Sequence, residues 1–268
     1  MRVPTCCTAS RSSAMAPAHQ RSLALALIAA LATTACERDT DAEPANASPD
    51  AAPVEAAVPG YRARGNEPFW SIEAHADELR WTTPDAPDPL RWSAATRADR
   101  ADGFDLGATR EGSALTLSAS ATICRDSMTG MPHPHTVVVT IDEREFTGCG
   151  GEPIDLLAAN AWIVASIDGA AIVGEAPTIG FDRTGRASGS GACNRWMSEI
   201  HLTGEGLGFA RAASTMMACP EAAMRTERHF LDALARVTRH DFDASGNLLL
   251  KAGDDTVIVA TAGSAAPD

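Results

Sequence analysis

One short stretch, Met128-Thr-Gly-Met-Pro-His-Pro-His135, places two thioethers and two imidazoles within a single loop. Thioether and imidazole together form a donor set that suits copper, so Met128, Met131, His133 and His135 are the candidate metal ligands. Pro132 and Pro134 impose extended backbone, and residues two apart on extended chain point the same way. The competing reading packs Met128 inward and leaves His133 and His135 on a solvated proline-rich turn. That reading is preferred, because the flanking Cys124 and Cys149 are unavailable as thiolates once oxidised.

Elsewhere the chemistry-bearing residues do not assemble. Asn194, Thr215, Met216 and Met217 flank Cys193 and Cys219. Amide and hydroxyl groups in such places more commonly hydrogen-bond buried loops than bind substrate. Gly189-Ser-Gly191 lacks the third glycine, the lysine and the directly following helix of a phosphate loop. Ser190 is not in a Gly-x-Ser-x-Gly elbow. Glu227 and His229 are two apart on a helix and cannot face one site. Asp241 with Asp243 and Asp254 with Asp255 fall at turns or strand ends and read as solvated. No catalytic residues are therefore assigned, and no cofactor is expected.

The elements that would position these groups divide by cysteine. Setting aside Cys6, Cys7 and Cys36, four cysteines remain, which in an oxidising compartment read as two disulfides. Three pairings are available. The local one closes loops 124–149 and 193–219, each stabilising by about 3–4 kcal/mol in the chain-entropy model. A division near Gly150-Gly151-Glu152-Pro153, where turn residues cluster, gives two small stapled domains over 61–151 and 152–263. In the first, Phe69–His75, Glu78–Thr83, Leu90–Ala94, Ala114–Ser118 and Thr136–Ile141 alternate at a period near two, predicting an antiparallel β domain. Trp70, Trp81 and Trp92 read as a stacked core or rim cluster. In the second, strands at Ala161–Ile167, Thr178–Asp182, Asp241–Asp243, Asn247–Leu250 and Thr256–Ala260 surround one amphipathic helix. That helix opens at Pro220 and runs about 17 residues, with Ala223, Glu227, Phe230, Leu234 and Val237 on one stripe. The fold class is α+β, mostly antiparallel β.

The N-terminal segment reads as an address. Residues 1–36 carry three arginines and no acid, then the apolar run Leu23–Leu31, then small residues up to Cys36. A start at Met15 gives a more usual signal length and omits Cys6 and Cys7. Ala35-Cys36 resembles the bacterial lipoprotein cleavage box, with Thr33 where Leu is usual, and implies lipidation of Cys36. Residues 37–60 hold four prolines, seven alanines and six acids against Arg38, the composition of a disordered tether. Its reach lies between roughly 27 Å as coil and about 70 Å in polyproline form. Removing three of the 22 basic residues with the signal leaves 19 against 35 acids, a charge of −16. That charge, with Lys251 the only lysine, excludes a nucleic-acid surface. No apolar run is long enough for a spanning helix.

Two resemblances add to this. Gly65-Asn66-Glu67-Pro68-Phe69-Trp70, Cys124-Arg-Asp-Ser-Met128, Pro134 and Gly148-Cys149-Gly150-Gly151 resemble an uncharacterised bacterial lipoprotein domain. The resemblance implies a disulfide and an envelope location. Trp162, Ile167-Asp-Gly169, Phe181-Asp182, Gly185-Arg186, Ser188-Gly-Ser-Gly-Ala-Cys-Asn194 and Ser214-Thr-Met-Met-Ala-Cys219 resemble the META domain (HslJ-like) family. Ala192 stands where that pattern has glycine. This resemblance implies a barrel-like antiparallel fold with a packed helix, and a role in envelope stress or antibiotic tolerance. The expectation is a noncatalytic outer-membrane lipoprotein facing the periplasm, held by its lipid and binding a periplasmic protein or small molecule. Inhibition of a cell-wall hydrolase such as lysozyme, whose basic surface an acidic protein attracts, is one alternative. A periplasmic copper-binding module is the other.

Overall fold

The computed structural model describes residues 60–263 together with Glu55 and Ala56. The expected signal, Cys36 and most of the expected tether lie outside the described residues. The described residues cluster as one compact unit, but their apolar side chains gather into two separate cores.

The first core is enclosed by a meander. After β1 (Glu55–Ala56) come β2 (Arg62–Asn66), β3 (Phe69–Ala74), β4 (Glu78–Thr83), β5 (Ala86–Arg100), β6 (Gly103–Arg110) and β7 (Ser113–Ser120). The two-stranded ribbon β8 (Cys124–Arg125) and β9 (Pro132–His133) follows, then β10 (His135–Ile141) and β11 (Arg144–Gly150). Strand order β5-β4-β3-β2-β11-β10-β7-β6, with β6 also paired to β5, closes an eight-stranded antiparallel barrel. The closing pair β11–β2 is short, joining only Cys149 to Arg64 and Gly150 to Ala63. Strand β5 serves both neighbours by bending between Ser93 and Thr96, where Ala94 takes a φ of 53°. Alternating Trp70, Ile72, Leu79, Trp81, Phe104, Leu106, Leu117 and Val139 fill the interior. An eight-stranded barrel is just wide enough for its own side chains, so this one is a packed core. Its polar side chains face out by the same period of two. Glu55 and Ala56, expected within the tether, instead pair with Arg97 and Thr96.

A short helix α1 (Pro153–Ala158), not expected from sequence, links the two cores. Proline at its start needs no hydrogen-bond partner there, and the carbonyl of its buried Leu157 accepts the Trp162 indole N–H at 2.7 Å. Then come β12 (Ala161–Ile167), β13 (Ala170–Ala171), β14 (Thr178–Phe181), β15 (Arg186–Ser190), β16 (Arg195–Thr203), β17 (Gly206–Phe209) and β18 (Ala213–Ser214). Helix α2 (Glu221–Leu234) and strands β19 (Arg239–Phe242), β20 (Leu248–Ala252) and β21 (Asp255–Gly263) complete it. The order β17-β16-β15-β14-β12-β21-β20-β19 is again a meander. Its ends approach where Leu207 N–H donates to the Thr238 carbonyl at 3.0 Å. Helix α2 buries Glu227, Phe230, Ala233 and Leu234, with Phe230 edge-on to Trp196 at 5.5 Å. It is 14 residues long, shorter than expected, and Pro220 caps rather than begins it. Among the described residues the fold is thus mostly antiparallel β with two helices.

Both disulfides take the local pairing, Cys124–Cys149 and Cys193–Cys219, one in each half.

Candidate functional site

Residues of the opening hexapeptide build a hairpin and brace a distant loop. Gly65 lies under the Trp70 indole, and a Cβ there would fall 2.3 Å from Trp70 Nε1. Trp70 stacks on Trp81 at 5.0 Å, and Phe146 lies 4.8 Å from Trp81. Trp92 is buried in the same core beside this stack, its indole N–H directed at Ser113 Oγ. Asn66 donates from Nδ2 to Asp126 Oδ2 (3.1 Å) and Ser127 Oγ (3.0 Å). Glu67, Pro68 and Phe69 form the exposed tip.

Asp126 in turn organises the loop between β8 and β9. Its Oδ1 accepts the backbone N–H groups of Met128 and Thr129 and the Thr129 hydroxyl. These hydrogen bonds hold the Asp126 carboxyl below its usual range, outweighing the burial that pushes it up. The loop docks on the second half. Arg125 donates to Asp241 Oδ1 at 2.9 Å and to the Phe242 carbonyl at 2.7 Å. Arg239 reaches back to the Thr129 carbonyl at 3.5 Å.

The four residues of the copper reading lie in different surroundings within this region. Met128 is 68% exposed, whereas Met131 and His133 are buried. The His135 ring sits near Tyr61 and Phe104, at 5.7 and 5.6 Å. Both ring nitrogens of His133 are engaged. Nδ1–H donates to the Gly151 carbonyl at 2.8 Å, and Nε2 accepts from Arg64 Nη2 at 3.3 Å. A guanidinium on the remaining lone pair opposes a metal cation at that nitrogen. Among the described residues no group of three or more His, Cys, Asp or Glu is placed to hold a metal ion.

In the second half the motif residues converge on a carboxylate that sequence reasoning passed over. Glu227 is buried, and its Oε2 accepts Asn194 N–H at 2.6 Å while Oε1 accepts Asn194 Nδ2 at 3.1 Å. Asn194 Oδ1 accepts the Thr215 hydroxyl (2.9 Å) and Met217 N–H (2.7 Å). One side chain therefore ties helix α2, the Cys193 loop and the Cys219 segment together. Every oxygen points at a donor within the loops, which is a brace rather than a reactive arrangement. The signal was available: Glu227 is an acid inside the apolar stripe of its helix. Met216 and Met217 project outward, at 97% and 56% exposure. On the opposite flank of α2, His229 and Arg236 both donate to Asp168, holding its carboxyl low.

A concave surface lies on the first barrel and continues to its boundary with the second half. A cavity of about 230 Å³ is lined by Arg62, Arg64, Ser71, Glu73, His133 and Glu152 among others. A second of about 420 Å³ shares Arg64 and Glu152 with it and adds Arg183, Thr184 and Thr203. Such seams are common places for ligand sites. Strand β2 fixes Arg64 through its register with Cys149. The turn before α1 fixes Glu152, because Gly151 N–H donates to the Arg62 carbonyl at 2.9 Å. Gly151 also has a φ of 80°, and a Cβ there would meet Pro134 at 2.4 Å. Burial, with the Arg64 charge adding to it, lowers the His133 pKa, so this imidazole is neutral beside Arg64.

A pair of disulfide-stapled β meanders, braced at their motif residues and joined by a polar seam, defines the class. In the second half, residues 155–264 match the META domain family model. The META domain suggests an envelope-associated protein. No curated protein and no solved structure matched the chain.

Proposed function

We propose that the protein is a noncatalytic, lipid-anchored component of the bacterial envelope, held through Cys36, which uses its two stapled domains to bind a periplasmic partner or ligand. The observation that carries this reading is the saturation of the motif side chains. Asn66, Asp126, Asn194, Thr215 and Glu227 spend their hydrogen bonds on loops, and leave a preformed seam between rigid barrels. Catalysis needs a nucleophile or base with free capacity beside a reacting atom, and these residues have none to spare. Binding needs only a held shape and placed charges. The META domain and the resemblance of Ala35-Cys36 to a lipoprotein cleavage box support the envelope location. The strongly acidic chain, at −13 overall, is soluble and repelled by anionic lipid, which suits a domain held clear of the headgroups.

The test is fractionation of the native host's envelope with mass spectrometry of the Cys36 peptide. The expected result is a diacylated Cys36 in the outer-membrane fraction, and release of a Cys36→Ala variant into the soluble periplasm. An unmodified Cys36, or a variant that stays with the membrane, overturns the anchor. A role in envelope stress or antibiotic tolerance is checked by growth of a deletion strain under detergent and antibiotic challenge, where unchanged growth counts against it.

A further inference from the structure

The cavity beside His133 is lined by two exposed charges of opposite sign, Arg64 and Glu152, that form no ion pair with each other. Arg62 and Glu73 also line it, but they pair at 3.2 Å and cancel. Among the described residues Arg64 has no carboxylate partner, and its recorded side-chain contact is the neutral His133. Glu152 likewise has no cationic partner among the described residues. Both line the smaller and the larger cavity. Their backbones are placed independently, one by the β2–β11 register and one by the Gly151 turn. Opposite charges placed on one preformed wall are complementary to a ligand bearing the reverse pair.

We propose that this cavity binds a small zwitterion, its carboxylate on the Arg64 guanidinium and its ammonium on the Glu152 carboxylate. The proposal rests on the binding role proposed above and names the ligand class for it. At about 230 Å³ the cavity is smaller than the roughly 300–1,000 Å³ of drug-sized sites, which selects ligands of amino-acid or dipeptide size. The planar fork of Arg64 matches a carboxylate in bidentate fashion, whereas an ammonium needs only a nearby anion. Ser71 and the Gly151 turn add neutral hydrogen-bonding groups on the same wall.

Isothermal titration calorimetry on the full chain tests this with three probes: alanylalanine, its N-acetyl derivative and its C-terminal amide. The expected result is binding of the free dipeptide, with each blocked form weaker by about tenfold or more, as loss of one charged hydrogen bond implies. Arg64→Gln should equalise the free dipeptide and its amide. Glu152→Gln should equalise the free dipeptide and its acetyl form. Circular dichroism melting confirms that both variants fold, and the blocked probes report on the unaltered protein in any case. Equal binding of all three probes overturns the assignment. So does no heat up to about 10 mM, a concentration at which even a millimolar site fills. Binding of the acetyl form as tightly as the free dipeptide makes it a simple anion site and equally overturns the zwitterion. None of these outcomes affects the Cys36 anchor, which is read separately.

Discussion

Ala192 sits at a φ of 87°, in the left-handed region that disfavours any residue with a Cβ. It precedes Cys193 and Asn194, the residues through which the second disulfide and the Glu227 brace are built. The META-type pattern has glycine here, and this chain holds a glycine-favouring backbone conformation with an alanine in place. The conformation is therefore imposed by the brace and not by the residue. Replacing Ala192 with glycine removes strain worth about 1–2 kcal/mol and adds back somewhat less in chain entropy. The expected outcome is a stabilisation of up to about 1 kcal/mol, read as a raised urea midpoint at unchanged slope. A lowered midpoint would show that the alanine methyl packs usefully enough to offset its backbone.

At the scale of elements, the ribbon β8–β9 joins what its sequence context keeps separate. It belongs to the first half, is stapled to β11 by Cys124–Cys149, and carries Arg125 onto β19 of the second. Its loop was the candidate metal site, yet Asp126 and Asn66 organise it as a docking surface. Removing the staple in a Cys124→Ala/Cys149→Ala variant frees a loop with a sequence separation of 25, which costs about 3–4 kcal/mol in the chain-entropy model. Denaturation should show that loss, and amide exchange should rise first over residues 124–133. Exchange rising uniformly across both barrels would instead mean that the ribbon has no stability of its own to lose. The short β11–β2 closure beside it makes this the weakest seam of the first barrel, since only two residue pairs hold it.

For the whole molecule the telling feature is acid sensitivity. His240 on β19 is 4% exposed, neither ring nitrogen has a hydrogen-bond partner, and burial lowers its pKa to about 4. His133 and His135 are shifted the same way by burial. A histidine with a depressed folded pKa binds its proton more readily when unfolded. Its stabilising effect is complete above the unfolded value near 6.5 and is lost as pH falls toward 4. For His240 the span of the shift corresponds to about 3 kcal/mol. Stability measured by denaturant from pH 7 to 4 should fall steadily, and His240→Leu should flatten much of that slope. A slope unchanged in the variant would assign the acid sensitivity to the other two histidines.

Local alternation and turn chemistry made the β class, the amphipathic helix and the cysteine division legible. Segments such as Phe69–His75 bury every second residue, and that pattern is written in the chain. Strand β16 was missed because it breaks the rule: Met197 points outward while Ser198 is buried, its hydroxyl donating to the Ala210 carbonyl. Strand β6 was masked by its glycines, and α1 by a proline that reads equally as a boundary. Barrel closure depends on pairing Cys149 with Arg64 and Phe104 with Asp99, and only assembled backbones decide such registers. The same holds for the candidate site. Sequence put thioethers and imidazoles in one loop and favoured Met128 packed inward with His133 and His135 solvated, whereas the fold exposes Met128 and buries His133. Folding turned His133 toward Arg64 and Gly151, and brought Arg64 and Glu152, far apart in sequence, to one cavity. Residue types and their spacing set which elements form; which charges end up unpaired beside each other is set by packing, because it depends on every element at once.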